Sequence, residues 1–257
     1  MAKDEFYIGW NDPMPDRNKK ALRRLLIPVF LLIPVLAFIL VFFMKPFNDH
    51  QFELGQIKEF TGIYQASPFP ALLLDADQAP AGHASQALLV GYGKNGALGF
   101  MQAVEKEQGP LSGKKIKIQG TLIFGDGKTL IELTKKEQSF LEILADASVG
   151  SLSGTPQVLE AAGEILDPKC WFGVMKPGEG KVHKSCAIRC VSGGIPPVFR
   201  IKKDGKNTYY ILKGLEGQEI NQAVLPFIGE PVLVSGNTYT QHGWNILQID
   251  PQGIQYQ

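Results

Sequence analysis

The sequence predicts an all-β fold with short helices, in which an N-terminal transmembrane helix precedes two tandem five-stranded barrels. Three observations support this prediction. Residues 25–44 form a run without any charged side chain. Beyond it, short runs of β-favouring residues alternate with Gly, Asp and Pro turns, and only two stretches look helical. These runs recur once in the same order, which predicts one barrel at residues 50–147 and another at residues 156–257.

The apolar run at residues 25–44 is long enough to cross a bilayer, because about 20 residues of helix at about 1.5 Å per residue span about 30 Å. Pro28 and Pro34 are compatible with this interpretation, since transmembrane helices tolerate proline. A cleaved signal peptide would have a shorter apolar region followed by a small-residue cleavage site, whereas Met-Lys-Pro-Phe ends this run. We therefore expect a retained membrane anchor.

Positive charge is concentrated before the apolar run and is scarce after it. The basic residues before it are Arg17, Lys19, Lys20, Arg23 and Arg24, and Lys45 follows closely. The positive-inside rule then makes residues 1–24 a cytoplasmic tail and puts residues 46–257 outside. In a bacterium this means a single-pass inner-membrane protein with periplasmic C-terminal domains. Aromatic side chains in the tail, at Phe6, Tyr7 and Trp10, suit an interfacial anchor or a docking peptide for a cytoplasmic or membrane partner.

A hairpin is the clearest repeated element of the chain. Two β-type runs, at residues 116–124 and 129–134, flank the sequence Gly-Asp-Gly-Lys, and Asp-Gly between such runs is a strong hairpin signal. A gap-free shift of 116 residues superposes this hairpin on the C-terminal part of the chain. Three glycines then coincide: Gly113, Gly120 and Gly127 fall on Gly229, Gly236 and Gly243. We interpret this as an internal duplication.

Each half shows the same order of elements: three strands, a short helix and the hairpin. The predicted strands lie at residues 60–64, 70–74 and 86–92, and at residues 161–166, 197–201 and 208–214. The predicted helices lie at residues 97–108 and 218–227. This order resembles the OB-fold, a small five-stranded Greek-key barrel. Residues 148–155 suit a linker by their composition. The alternative is a single two-sheet sandwich.

The second half carries a long insertion between its first two strands. Gly62 and Phe69 are seven residues apart, whereas their counterparts Gly163 and Pro196 are thirty-three apart, so the second half has about twenty-six extra residues. OB-folds use this connection for ligand contact. A connection of that length without structure of its own is usually functional. We therefore expect a functional loop at residues 167–197.

This predicted loop contains every cysteine of the chain and one of its four histidines: Cys170, His183, Cys186 and Cys190. A glycine-rich loop can fold back and bring the four side chains together, and three cysteines with a histidine form a common tetrahedral zinc set. Soft thiolates with an imidazole also suit copper, and Met175 could add a weak thioether ligand. We predict that these residues bind a transition metal ion, zinc or copper.

Two local resemblances accompany this site. The CAIRC segment at residues 186–190 resembles the C-x-x-x-C of the Sco copper chaperones and of dinuclear copper electron-transfer sites. That similarity covers five residues plus a histidine and is one of ligand chemistry. The wider pattern DPKC…HxxCxxxC…GGIPP is similar to that of uncharacterised single-pass bacterial membrane proteins. It covers some thirty residues and implies no activity.

Other uses of the cysteines are open. Thiols outside the cytoplasm tend to oxidise, so Cys186 and Cys190 could pair. Lys184 and Arg189 beside them would favour thiolates, which suits a thiol–disulfide oxidoreductase. A structural disulfide in a purely structural subunit is the third reading. Of these, we expect a metal-handling or accessory subunit of a membrane redox assembly rather than an enzyme.

Several functional classes find no support in the sequence. A net charge of +1 offers no general attraction for nucleic acid, and neither half shows a basic groove with stacking aromatics. Hydrolase, zinc-protease and P-loop motifs are absent from the sequence. His50, His83 and His242 are isolated in sequence, and no ligand role is predicted for them. The expected partners are the lipid bilayer and a membrane protein or complex, and no nucleic acid.

Overall fold

The computed structural model describes residues 14–44, 50–134, 139–147, 156–173, 175–241 and 243–257. Contacts divide the chain into two units, an N-terminal one that ends at Phe47 and a C-terminal one that begins at Asn48. The predicted linker at residues 148–155, the aromatic residues of the tail and His242 lie outside the described residues.

The N-terminal unit contains one long helix, α1 (Asp16–Phe43). The helix begins nine residues before the predicted apolar run, because the basic stretch ahead of it is also made of good helix formers. Asp16 lies in the first turn, where a negative charge complements the helix dipole. Both prolines lie inside the helix, and none of its residues is buried within the unit. It is long and apolar enough to cross a membrane.

The first barrel closes through five strands. They are β2 (Lys58–Gln65), β3 (Ala71–Leu74), β4 (Gln86–Val90), β5 (Lys114–Gly125) and β6 (Lys128–Leu133), with α2 (Leu98–Gln108) between β4 and β5. The pairs β2–β3, β3–β4, β5–β6 and β2–β5 are antiparallel, and β4–β6 is parallel. Two outer strands, β1 (Gln51–Phe52) and β7 (Phe140–Asp146), pair with β5.

The second barrel repeats this topology. Its strands are β8 (Gln157–Leu166), β9 (Val198–Lys203), β10 (Lys206–Gly214), β11 (Pro231–Gln241) and β12 (Trp244–Ile249), with α5 (Asn221–Val224) and a 3₁₀ turn (Leu225–Phe227) before β11. The parallel pair is β10–β12, and β8 pairs with both β9 and β11. A 3₁₀ turn (Pro251–Gly253) leads to β13 (Gln255–Tyr256), which pairs with β11. The prediction of two tandem OB-like barrels is confirmed, and a single two-sheet sandwich is wrong.

The duplicated glycines occupy equivalent positions in the two barrels. A Cβ on Gly120 would collide with the carbonyl of Glu132 on the paired strand, and a Cβ on Gly236 would collide with that of Gln248. Residue 132 falls on residue 248 under the same shift of 116, so the close approach is the same in both halves. The repeated glycine is therefore explained by the same close approach of two paired strands in both barrels, and not by a ligand site that the two barrels share.

Three apolar cores hold the C-terminal unit together. One fills the first barrel, one fills the second, and the third lies between the two barrels. The third core takes side chains from the first barrel, from the second barrel and from the insertion. Its members from the insertion are Trp171, Phe172, Cys190 and Ile195. Part of the insertion is therefore packed between the barrels, while other parts of it, such as Met175 and Val182, are exposed.

The insertion at residues 167–197 is folded into two helices, α3 (Pro168–Phe172) and α4 (Gly180–Ser192). The expectation of a loop without structure of its own is wrong. The physical reason is that its apolar side chains alternate at helical spacing: Ala187 and Val191, four residues apart, pack into the core of the second barrel. Glycine and proline punctuate the ends of the helices rather than their interiors.

Candidate metal centre

Helix α3 begins at an aspartate that caps it. The Oδ1 atom of Asp167 accepts a hydrogen bond from the backbone N–H of Lys169 at 2.9 Å, and Pro168 takes the first helical position. Both features are typical of helix starts, because the cap satisfies a free N–H and proline has none to satisfy. This short helix sets Cys170 one turn after Asp167 and next to the buried ring of Trp171.

Helix α4 carries the other three predicted ligands on one face. His183, Cys186 and Cys190 are spaced at i, i+3 and i+7, and residues with this spacing lie along the same side of a helix. The N-terminus of α4 is held by the backbone N–H of Gly180, which donates to the Glu164 carboxylate at 2.6 Å. The C-terminus is held by the amide of Asn221, which donates to the carbonyls of Val191 and Ile195.

The two helices bring the donor atoms into two groups that share Cys170. In the first group, the donor atoms of Cys170, His183 and Cys186 all lie within 4.8 Å of one another. In the second, a carboxylate oxygen of Asp167 and the sulfurs of Cys170 and Cys190 satisfy the same limit. Each of the four predicted Cys and His ligands therefore belongs to a donor group that includes Cys170. Asp167 was not predicted.

Two buried polar atoms in this cluster have no hydrogen-bond partner among the residues that the structure describes. They are Nε2 of His183 and Oδ2 of Asp167. His183 is 4% exposed and Asp167 is completely buried. Because an unpaired polar atom in a protein interior costs free energy, such atoms call for a ligand, an ion or water. Their position beside the thiols fits a bound metal cation.

A lysine of the first barrel lies at the exposed edge of the cluster. Nζ of Lys94 donates to Sγ of Cys186 at 3.2 Å across 92 residues of sequence. The pKa of Lys94 is raised, chiefly by this hydrogen bond. Lys184, which the sequence predicts to favour the thiolates, instead forms an ion pair with Glu230, since its Nζ lies 2.9 Å from that carboxylate. Lys94 therefore supplies the positive charge beside the thiol of Cys186. The residues next to the cysteines in the sequence give no indication of this contact.

The loop that carries Lys94 is locked onto the insertion. The backbone N–H of Gly96 donates to the carbonyl of Gly193 at 2.8 Å. A Cβ on Gly193 would collide with the carbonyl of Lys94, so glycine permits this close approach. From the other side, Nζ of Lys169 enters the first barrel, where it donates to the carbonyl of Gly91 at 2.8 Å and to Glu132 at 2.6 Å.

The surroundings of the cluster change the pKa of two donors. The pKa of His183 is lowered, chiefly because the buried site disfavours the charged imidazolium. The imidazole is therefore neutral at neutral pH, as a metal ligand must be. The pKa of Cys170 is raised, chiefly by a hydrogen bond with Cys190 and further by burial and the nearby carboxylate of Asp167. Without a metal ion, Cys170 remains a thiol.

A second polar network positions the residue after Cys170. The indole of Trp171 donates to the hydroxyl of Tyr209 at 2.8 Å, and that hydroxyl donates to the carboxylate of Asp126. Nε2 of His50 lies 3.3 Å from the same carboxylate. The pKa of Asp126 is lowered, first by His50 and then by Tyr209 and a nearby asparagine. This network joins the hairpin turn of the first barrel to helix α3.

The remaining predicted residues have different surroundings. Met175 lies in the connection between α3 and α4 and is 44% exposed, so its role as a thioether ligand stays a prediction. His83 makes a local hydrogen bond to the carbonyl of Ala81 and an edge contact with the ring of Phe124. No protein-family model, curated protein or solved structure matches the chain.

Proposed function

We propose that this protein is a membrane-anchored metal protein whose ectodomain binds transition metal at the cluster that contains Cys170, His183, Cys186 and Cys190. It would act as a metal-handling or accessory subunit of a membrane redox assembly. One observation carries the proposal: soft donors from two separate helices converge, and a buried imidazole nitrogen among them has no other partner. Six other buried side-chain atoms of the described residues also lack a hydrogen-bond partner, but His183 and Asp167 are the two residues among them that belong to the donor groups with the thiols.

The donor chemistry restricts the metal. Thiolates with a neutral imidazole select zinc or copper over magnesium and calcium, which prefer oxygen donors. The protein's own contribution is to orient the donor side chains and to shield them from water. The interbarrel core packs against Cys190 and Trp171, which excludes water from the inner side of the cluster. Lys94 at the outer edge leaves Cys186 half-exposed, so exchange with solvent or a partner would take place there.

The location of this centre is part of the proposal. The basic residues that precede the apolar run favour a cytoplasmic N-terminus, and this orientation would put both barrels on the periplasmic side of a bacterial inner membrane. A metal centre there would lie within reach of other membrane-bound proteins. Attachment by α1 confines the protein to the bilayer surface, which suits a subunit of a membrane assembly more than a freely diffusing carrier.

Metal content of the full-length protein in detergent tests the proposal. Protein purified anaerobically under reducing conditions should contain stoichiometric zinc or copper. His183→Ala and Cys186→Ser should each reduce metal occupancy by at least half, while the controls His83→Ala and Ser185→Ala should leave it unchanged. A wild-type protein that neither contains nor takes up either metal would contradict the proposal.

Thiol–disulfide exchange is the second candidate, and one observation favours it: the sulfurs of Cys170 and Cys190 are close and all three cysteines are free. The pair expected from the sequence, Cys186 with Cys190, does not fit an intact helix. Residues at i and i+4 have Cβ atoms about 5–6 Å apart, whereas a disulfide needs about 3.5–4.5 Å. Mass spectrometry of alkylated protein separates the two functions, because a metal site keeps its thiols reduced.

A further inference from the structure

We propose that the centre holds two metal ions, with the thiolate of Cys170 bridging them. One ion would be bound by Cys170, His183 and Cys186, which we call the outer site. The other would be bound by Asp167, Cys170 and Cys190, which we call the inner site. This inference rests on the proposed function and deepens it, because it states how many ions the same cluster takes and adds Asp167 as a ligand.

The spacing along α4 argues against one ion that uses all three of its donors. Seven residues separate His183 from Cys190, and they correspond to about 10.5 Å along a helix axis. Two donors on one tetrahedral ion, with bonds of about 2.0–2.3 Å, lie only about 4 Å apart. Cys186 is close enough to His183 for a shared ion, whereas Cys190 lies about one turn further on. The donors group accordingly, with Cys170 common to both sets.

The unpaired oxygen of Asp167 is an independent observation for the inner site. Oδ1 is used for capping α3, while Oδ2 is buried and has no hydrogen-bond partner among the described residues; a carboxylate oxygen of Asp167 lies within 4.8 Å of the sulfurs of Cys170 and Cys190. The adjacent Lys169 does not neutralise it, because its Nζ is directed to Glu132 and to carbonyls of the first barrel. A buried carboxylate of this kind requires a cation or a protonated neighbour.

The ligand chemistry restricts the metal of the inner site. A carboxylate among thiolates is a ligand set of zinc rather than of Cu(I), which prefers sulfur alone. We therefore assign the inner site to a divalent ion of the zinc type.

Zinc titration of the metal-free, full-length protein in detergent, followed by native mass spectrometry, tests the inference. Wild type should bind two Zn²⁺ per chain. Asp167→Asn should bind one, because the amide keeps the helix cap but is a poor zinc ligand. His183→Ala should also bind one. Cobalt(II) substitution adds a second readout, since the thiolate-to-cobalt absorption of Asp167→Asn should fall to about half.

Asp250 provides a matched control. It also precedes a proline and caps a short helical turn, where its carboxylate accepts from the N–H of Gln252 at 3.0 Å, but it is exposed. Asp250→Asn should still bind two ions. If Asp167→Asn fails to fold, Cys190→Ser tests the same site and should bind one ion.

The possible outcomes separate this inference from the proposed function. One Zn²⁺ per wild-type chain, unchanged in Asp167→Asn, would overturn the two-ion centre and leave the metal protein intact. Two ions in both wild type and Asp167→Asn would overturn the assignment of Asp167. Copper without zinc in the wild type would overturn the two-ion zinc centre and leave the metal protein intact, whereas a wild type that binds neither zinc nor copper would overturn both proposals.

Discussion

Replacing Lys169 by methionine should destabilise the C-terminal unit, because this lysine joins the insertion to the first barrel. Its Nζ lies 2.6 Å from the Glu132 carboxylate, and the two side chains are only 9% and 11% exposed. Glu132 also accepts from the N–H of Gly93 at 3.2 Å. Removing the lysine leaves a buried carboxylate without its cation, which costs about 3–5 kcal/mol.

For a unit of this size, each kcal/mol lowers Tm by about 2–4 °C, so the expected decrease is about 6–20 °C. Thermal unfolding of the metal-free protein, followed by circular dichroism, measures it. The double variant Lys169→Met/Glu132→Gln should recover more than half of the loss, because the orphaned charge is gone while the acceptor for Gly93 is kept.

The exposed pair of Lys58 and Glu53 is the control. Their charged groups are 2.7 Å apart, but the side chains are 45% and 22% exposed, so Lys58→Met should cost less than about 1 kcal/mol. If Lys169→Met lowers Tm no more than Lys58→Met does, the insertion is not held to the first barrel by this ion pair.

Three further predictions concern other parts of the C-terminal unit. Because the pKa of Asp126 is lowered in the folded protein, its stabilising contribution is complete above the ordinary carboxyl pKa and is lost as pH falls below about 4. Asp126→Asn should therefore flatten the decrease in Tm between pH 5 and pH 2. An unchanged slope of Tm against pH would contradict this prediction. Gly236→Ala should lower the free energy of unfolding by about 1–3 kcal/mol, because the added Cβ would collide with backbone atoms. Gly99→Ala should raise it by up to about 1 kcal/mol, because Gly99 lies in helix α2 with open space around it. Denaturant unfolding measures both changes. Mild oxidation of the metal-free protein should join Cys170 to Cys190, and peptide mapping that instead links the two cysteines of α4 would show that this helix unwinds.

Much of the fold follows from local patterns. The Asp-Gly turn with positive φ at both residues forms the predicted hairpin, and Gly120 and Gly236 mark the same strand crossing in both barrels. Alternation of apolar side chains indicates which face of a strand is buried, and the order of strands and helix along the chain indicated the OB-like topology before any contact was known. The second predicted helix was too long, because a 3₁₀ turn at Leu225–Phe227 replaces its last part.

The candidate site was predicted less completely. The spacing of His183, Cys186 and Cys190 matches the helical periodicity of three and four residues, and this signal could have identified α4. The abundance of glycine and proline around it favoured a loop instead. Asp167 was not predicted as a ligand because an aspartate before a proline is an ordinary helix cap. Lys94 was not predicted to contact the thiols because it belongs to the other barrel. No local pattern connects either residue with the cysteines.

The sequence by itself determined an apolar helix long enough for a membrane, two barrels of the same topology and an insertion that contains all the soft donors. These properties depend on periodicity and composition, which are local. Only the tertiary structure decided that the donors form two groups around Cys170 and that Lys94 lies against Cys186. The reason is physical. The positions of α3 and α4 depend on a core to which both barrels contribute side chains. Such long-range packing cannot be predicted from the spacing of residues that are close in sequence.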